Sequence, residues 1–67
     1  MIVKPILHEI LKRKGMTQKE LSLKANIQAP YISRFDSQIS HKDEHLFLIA
    51  KALDCKIEDL FEVTDGN

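Results

Sequence analysis

Little in this 67-residue chain points to catalysis, to a membrane or to a metal. There is one cysteine, Cys55, so no internal disulfide can form, and a reducing cytoplasm is the simplest compartment. No apolar run approaches the roughly 20 residues of a membrane span. The opening MIVKPILHEI lacks a long apolar segment followed by a small-residue cleavage site, so a signal peptide is not expected. Repeats, low-complexity tracts and linkers are missing. So are a Gly-rich phosphate loop, paired carboxylates suited to a cleft, and a nucleophile–base pair at a recognisable spacing. Neither enzymatic activity nor a cofactor or small-molecule ligand is therefore expected. His8, His41 and His45 read as surface histidines rather than metal ligands, with Cys55 in a different element. Cys55 itself reads as a core residue between two helices rather than a redox sensor.

The chain does have charge, unevenly placed. Overall it is neutral. Residues 1–42 carry eight Lys/Arg against three Asp/Glu, a net +5; residues 43–67 carry two against seven, a net −5. A positive end over the first half suits a phosphate-facing surface, while ordinary helix-surface charge is the plainer alternative. With 43% hydrophobic residues in so short a chain, a single small domain over 1–67 is expected, near the lower limit for a self-sufficient core.

The apolar pattern is helical. Pro5 suits a first helical turn, and Ile6, Leu7, Ile10 and Leu11 then share one face. Lys12, Arg13 and Lys14 favour the C-terminal end of that helix, and Gly15 is a natural stop. Thr17 and Glu20 make a T-x-x-E capping box for a second helix, in which Leu21 and Ala25 face inward. Ala25-Asn26-Ile27 is a turn, since Asn tolerates a left-handed backbone. Gln28 then caps a third helix that carries Pro30 in its first turn and buries Ile32 and Phe35. Ser37 to Lys42 reads as a loop. A fourth helix is expected at about 44–53, with Leu46, Ile49, Ala50 and Leu53 inward, a short fifth at about 57–61, and a frayed end over 64–67. The stretch Thr17–Asp36 is thus the sequence form of a helix-turn-helix, which sets a helix into the DNA major groove.

In this order and spacing the chain resembles the Cro and phage-repressor type of helix-turn-helix regulator. The residues that carry the likeness are Ile10-Leu11, Gly15-Met16-Thr17-Gln18, Glu20-Leu21, Ala25-Asn26-Ile27, Ile32-Ser33-Arg34-Phe35-Asp36, Ala50-Lys51-Ala52-Leu53 and Asp59-Leu60-Phe61. The tail Leu53 to Glu62 looks most like a subgroup of small single-domain members. The resemblance implies an all-α, five-helix, lambda-repressor-like domain that binds double-stranded DNA through its second and third helices. It also implies roles: Gln18 and Gln28 at backbone phosphates, and Ala29, Pro30, Ser33 and Arg34 at the recognition surface. The loop Ser37–Lys42 would approach the next phosphates. This chain departs from the pattern at Ala29 and Pro30, where polar base-readers are common. Asn26 and Gln38 stand where glycines are usual, and Asp43 where an apolar residue is common.

Each position has competing roles. Arg34 is expected at DNA, either in a bidentate pair with guanine or as a phosphate clamp, against a surface salt bridge with Asp36. Ala29 and Pro30 offer thymine methyls an apolar contact, or only start the helix. Tyr31 stacks or meets phosphate, or packs half-buried; Lys19 and Lys42 are phosphate partners or solvated surface. The run Leu46-Phe47-Leu48-Ile49 is too apolar for one helix face. Part of it is expected to form a homodimer interface, with Phe47, Leu48, Ile57, Phe61 and Val63 as its residues. Alternatively, the N-terminal arm covers Phe47 and Leu48 in a monomer. Ile2-Val3 and Glu62-Val63 are also placed to pair as a small two-stranded ribbon. The main functional expectation is a repressor of phage, prophage or mobile-element type, acting in a bacterial cytoplasm as a dimer on a palindrome. The alternative is a protein-interaction module on the same scaffold, such as an antitoxin or an antagonist of another regulator.

Overall fold

Three helices close in the same way, each on a residue with a left-handed backbone. We describe residues 1–66 from a computed structural model. Helix α1 (Leu7–Lys14) stops at Gly15, at φ 66°, with the Met16 N–H donating to the Leu11 carbonyl at 3.0 Å. Helix α2 (Gln18–Ala25) stops at Asn26, at φ 56°. Helix α4 (Asp43–Ala52) stops at Leu53 followed by Asp54, at φ 53°, with the Cys55 N–H donating to the Ala50 carbonyl at 3.0 Å. Each closure satisfies carbonyls that the helix leaves unpaired.

Between α2 and α4 lie the short helix α3 (Ala29–Ser33) and a 3-10 turn, Phe35–Ser37. The third helix is thus shorter than its sequence pattern predicts, and Phe35 is buried from the turn that follows it. The expected fifth helix is also a single 3-10 turn, Ile57–Leu60, started by the Lys56 N–H donating to Asp59 Oδ2 at 3.0 Å. It ends at once because Phe61 enters a strand. That strand, β2 (Phe61–Thr64), pairs antiparallel with β1 (Ile2–Pro5), setting Val3 opposite Val63 and Pro5 opposite Phe61.

Among the described residues there are therefore four α-helices with a short strand pair, rather than five helices alone. Pro5 closes β1 instead of opening α1, at a sheet margin where its missing N–H leaves no ladder bond unmade. Thr64 pairs with Ile2 rather than fraying, and of the expected frayed end, Asn67 lies outside the described residues. The N-terminal arm is held by the ribbon and leaves Phe47 66% exposed, so it does not serve as a cover for that ring.

The core joins every helix. Leu7, Leu21, Ile32 and Leu60 are wholly buried, with Phe35 and Ile49 at 2% and 1% exposure. Burying each such side chain contributes about 1.5–3 kcal/mol. Helix α1 is further tied to the Phe35–Ser37 turn by Asp36, whose carboxylate accepts the Leu7 and His8 N–H groups at 2.7 and 2.9 Å.

Candidate nucleic-acid interface

The helix pair is set by local chemistry. Thr17 and Glu20 form both halves of the capping box: the Glu20 N–H donates to Thr17 Oγ1 at 3.0 Å, and the Thr17 N–H to Glu20 Oε1 at 3.1 Å. This fixes where α2 begins and leaves Gln18 exposed as its first residue. At the turn, Ser22 binds Ile27 twice: its hydroxyl donates to the Ile27 carbonyl, and its own carbonyl accepts the Ile27 N–H at 3.1 Å. The left-handed Asn26 and this double bond set the angle between α2 and α3. Leu21 and Ile32, both fully buried, then lock the pair from beneath.

That packing decides what α3 shows to solvent. With Ile32 turned into the core, Ala29, Pro30, Tyr31, Ser33 and Arg34 are all exposed. Gln28, Gln18, Lys19 and Lys42 are exposed as well. Gln28 holds the N-cap position with an extended backbone, but its side chain makes no capping bond, so its amide is free for other partners. Arg34 forms no ion pair among the described residues, and Asp36 is committed to α1. The surface salt bridge between Arg34 and Asp36 is therefore not made.

The structure adds detail around Tyr31. Lys42 Nζ sits 5.7 Å from the centre of the Tyr31 ring, within cation–π range. The His45 ring meets Tyr31 edge-on at 4.8 Å between centroids. With Gln38, Ser40 and His41, these three residues line a cavity of about 220 Å³ beside α3. His45 was not among the residues singled out from sequence as DNA contacts. The available signal was its place three residues after Lys42, which brings it onto the first turn of α4.

The histidines are less uniformly superficial than the sequence implies. His8 Nδ1 lies 3.1 Å from Asp36 Oδ2. His41 stacks on Phe35 at 4.0 Å, and its Nε2 lies 2.7 Å from the Phe35 carbonyl oxygen. His41 and His45 stand four residues apart, but His41 precedes α4 and is held by Phe35. Among the described residues, no three His, Cys, Asp or Glu side chains gather to hold a metal ion. Cys55 is half-buried at the edge of the core rather than inside it. Burial raises its thiol pKa, the neighbouring Asp59 and then Asp54 add to the rise, and Lys14 opposes it.

The basic half of the sequence does not all face one way. Lys12 shares a groove with Thr17 and Gln18, next to the start of α2. Arg13 and Lys14 instead line a groove with Cys55 and Asp59, and Arg13 pairs with Glu9 at 3.2 Å. The proposed dimer residues divide too. Phe47 and Ile57 line one groove, whereas Phe61 lies in another with Ile2, Val3 and Pro5, and Leu48 packs against the core. Val63 is exposed on the ribbon.

A small helical domain with a capped α2, a tight left-handed turn and an α3 whose outer face is free is a helix-turn-helix domain. The chain belongs to the family of the Cro/C1-type HTH DNA-binding domain, which it matches over residues 7–66. Among curated proteins, none matches it. Family membership makes DNA binding in transcription regulation its function. No helix among the described residues is long and apolar enough to cross a membrane.

Proposed function

We propose that the chain is a sequence-specific repressor of phage, prophage or mobile-element type, working in the bacterial cytoplasm at the nucleoid. In this reading it binds a palindromic operator as a homodimer and blocks polymerase sterically. The observation that carries the DNA reading is the free outer face of α3, with Arg34 unpaired and Gln18, Gln28 and Lys42 exposed around it. Phosphate contacts supply most of the affinity, because Ala29 and Pro30 bring no polar atom to base edges. Dimer action draws support from Phe47, a large exposed ring in a groove with Ile57.

Binding to duplex DNA as a function of salt tests this reading. Affinity falls steeply with added salt, and Arg34→Ala weakens it by about 1–3 kcal/mol if the guanidinium pairs with guanine. A wild-type chain that holds no duplex even at low salt would refute it. The second reading, a protein-interaction module, is favoured by the same apolar Ala29-Pro30 pair and by the acidic second half of the chain. It predicts capture of a partner regulator with no salt-sensitive DNA affinity.

A further inference from the structure

We propose that His8 is a positioning residue for DNA binding: its Nε2 accepts one N–H of the Gln18 amide and so aims the other at a backbone phosphate. This rests on the reading of Gln18 as a phosphate contact and adds the group that holds it. His8 stands on the first turn of α1, with Nδ1 3.1 Å from Asp36 Oδ2. The same oxygen accepts the His8 backbone N–H at 2.9 Å. A carboxylate accepts and does not donate, so this contact assigns the ring proton to Nδ1. In the neutral ring, Nε2 is then a lone-pair acceptor in want of a donor.

Nε2 is shielded from solvent and makes no hydrogen bond among the described residues. A shielded acceptor without a donor destabilises the fold, so a neighbouring side chain gains by donating to it. The ring borders a groove where α1 meets the start of α2, and three other side chains of that groove carry polar protons: Lys12, Thr17 and Gln18. Thr17 is held at the α2 cap, where its Oγ1 takes the Glu20 N–H. Lys12 is an ammonium, and reaching a shielded nitrogen would strip its strong hydration. Gln18 is neutral, and its side chain makes no hydrogen bond among the described residues. Its amide carries two N–H groups, so one nitrogen serves both His8 and a phosphate. The gain is pre-organisation. A free glutamine gives up rotamers when it meets DNA, whereas one held by His8 has given them up on folding. Asp36 holds His8 and His8 holds Gln18, so the turn after α3 acts through α1 on the first residue of α2.

The test measures affinity for a labelled random-sequence duplex at about 50 mM salt and constant pH, since a phosphate contact is independent of sequence. His8→Asn keeps an amide N–H toward Asp36 but places nothing at the Nε2 position. It should stay folded by circular dichroism and bind roughly two- to tenfold more weakly than wild type, the range for leaving one long side chain unordered. His8→Gln extends an amide oxygen to the Nε2 position and should recover most of that loss. Gln18→Ala should weaken binding at least as much, and adding His8→Asn to it should weaken binding no further, because both act through one contact. A purely structural His8 would instead give independent losses. His8→Asn binding like wild type, additive losses in the double variant, or His8→Gln as weak as His8→Asn each overturns the proposal. Non-additivity with Lys12→Ala in place of Gln18→Ala would make Lys12 the donor, and also overturns it. If His8→Asn does not fold, nitrogen NMR of the wild type on DNA decides: the His8 proton is expected on Nδ1 with Nε2 bare, and a proton on Nε2 overturns the proposal. Gln18→Ala binding like wild type removes the Gln18 contact and this proposal with it, while the DNA reading stands as long as Arg34→Ala still weakens a salt-dependent complex.

Discussion

Asp36 caps α1 at Leu7 from twenty-nine residues away in the chain, through a 2.7 Å bond from the Leu7 N–H to Oδ1. The formal N-cap residue, Ile6, has no side chain able to do this. Asp36 accepts the His8 N–H as well, so two of the four open donors of α1 are met by one carboxylate. The bond also ties the turn that follows α3 to the start of α1. Asp36→Ala is expected to destabilise the domain by about 1–2 kcal/mol, the range for losing a helix cap. For a chain of this size that lowers the melting temperature by about 4–8 °C per kcal/mol. Asp36→Asn, which keeps one acceptor, should lose less. Urea denaturation measures both, and an Asp36→Ala variant as stable as wild type would contradict the capping role.

Asn26 and Asp54 close α2 and α4 in the left-handed region, where a side chain with a Cβ is strained unless it is short and polar. Asn26→Ala is expected to cost about 1 kcal/mol, while Asn26→Gly should be close to neutral because glycine carries no such penalty. Chemical denaturation of the pair separates backbone strain from side-chain loss. Equal destabilisation by both substitutions would show that the Asn26 side chain, rather than its backbone angle, matters.

Local signals were the legible ones. The capping box at Thr17–Glu20, the stop at Gly15 and the turn at Asn26 depend on residues a few positions apart, and the structure has all three. Pro5 reads equally well as a strand end or a helix start, and only its pairing with Phe61, at the far end of the chain, decides between them. The same long-range pairing turns the expected fifth helix into one 3-10 turn. The cap on α1 was hidden for a similar reason, since nothing near Leu7 in sequence points to Asp36. At the interface, the family resemblance singled out Gln18, Gln28 and Arg34, and all three are exposed, but the place of His45 against Tyr31 depends on the long-range packing that brings α4 near α3. Sequence halves also misplace charge: Arg13 and Lys14 belong to the positive half, yet they line a groove with Asp59.

Cys55 offers a pH-dependent readout. Its folded pKa is raised above the ordinary 9.0, by burial first and then by Asp59, so the neutral thiol is the form the fold prefers. The unfolded chain therefore gives up this proton at lower pH than the folded one. The stability linked to Cys55 is fully present below about pH 9 and declines as pH rises through the raised value. Alkylation by iodoacetamide near pH 8 should accordingly be slower in the native domain than in urea, because less thiolate is present. Cys55→Ala should flatten the alkaline loss of stability. Equal alkylation rates in the native and unfolded states would exclude the raised pKa.

Phe47 is the residue that tests the proposed dimer. It lies on α4 at 66% exposure, and its groove is shared with Ile57, Lys51 and Lys56. Burying such a ring against a second copy contributes about 1.5–3 kcal/mol per protomer. Phe47→Glu, on an exposed position, should leave the fold unchanged by circular dichroism. If the face is an interface, the substitution lowers the sedimentation coefficient toward that of a monomer and removes cooperativity on a palindromic duplex, while binding to a single half-site persists. Phe61→Glu is the contrasting variant: Phe61 lies 6.0 Å from Phe35 between ring centres, so its loss should act on stability. A wild type that sediments as a monomer at tens of micromolar, both alone and on a palindrome, would remove the dimer from the mechanism.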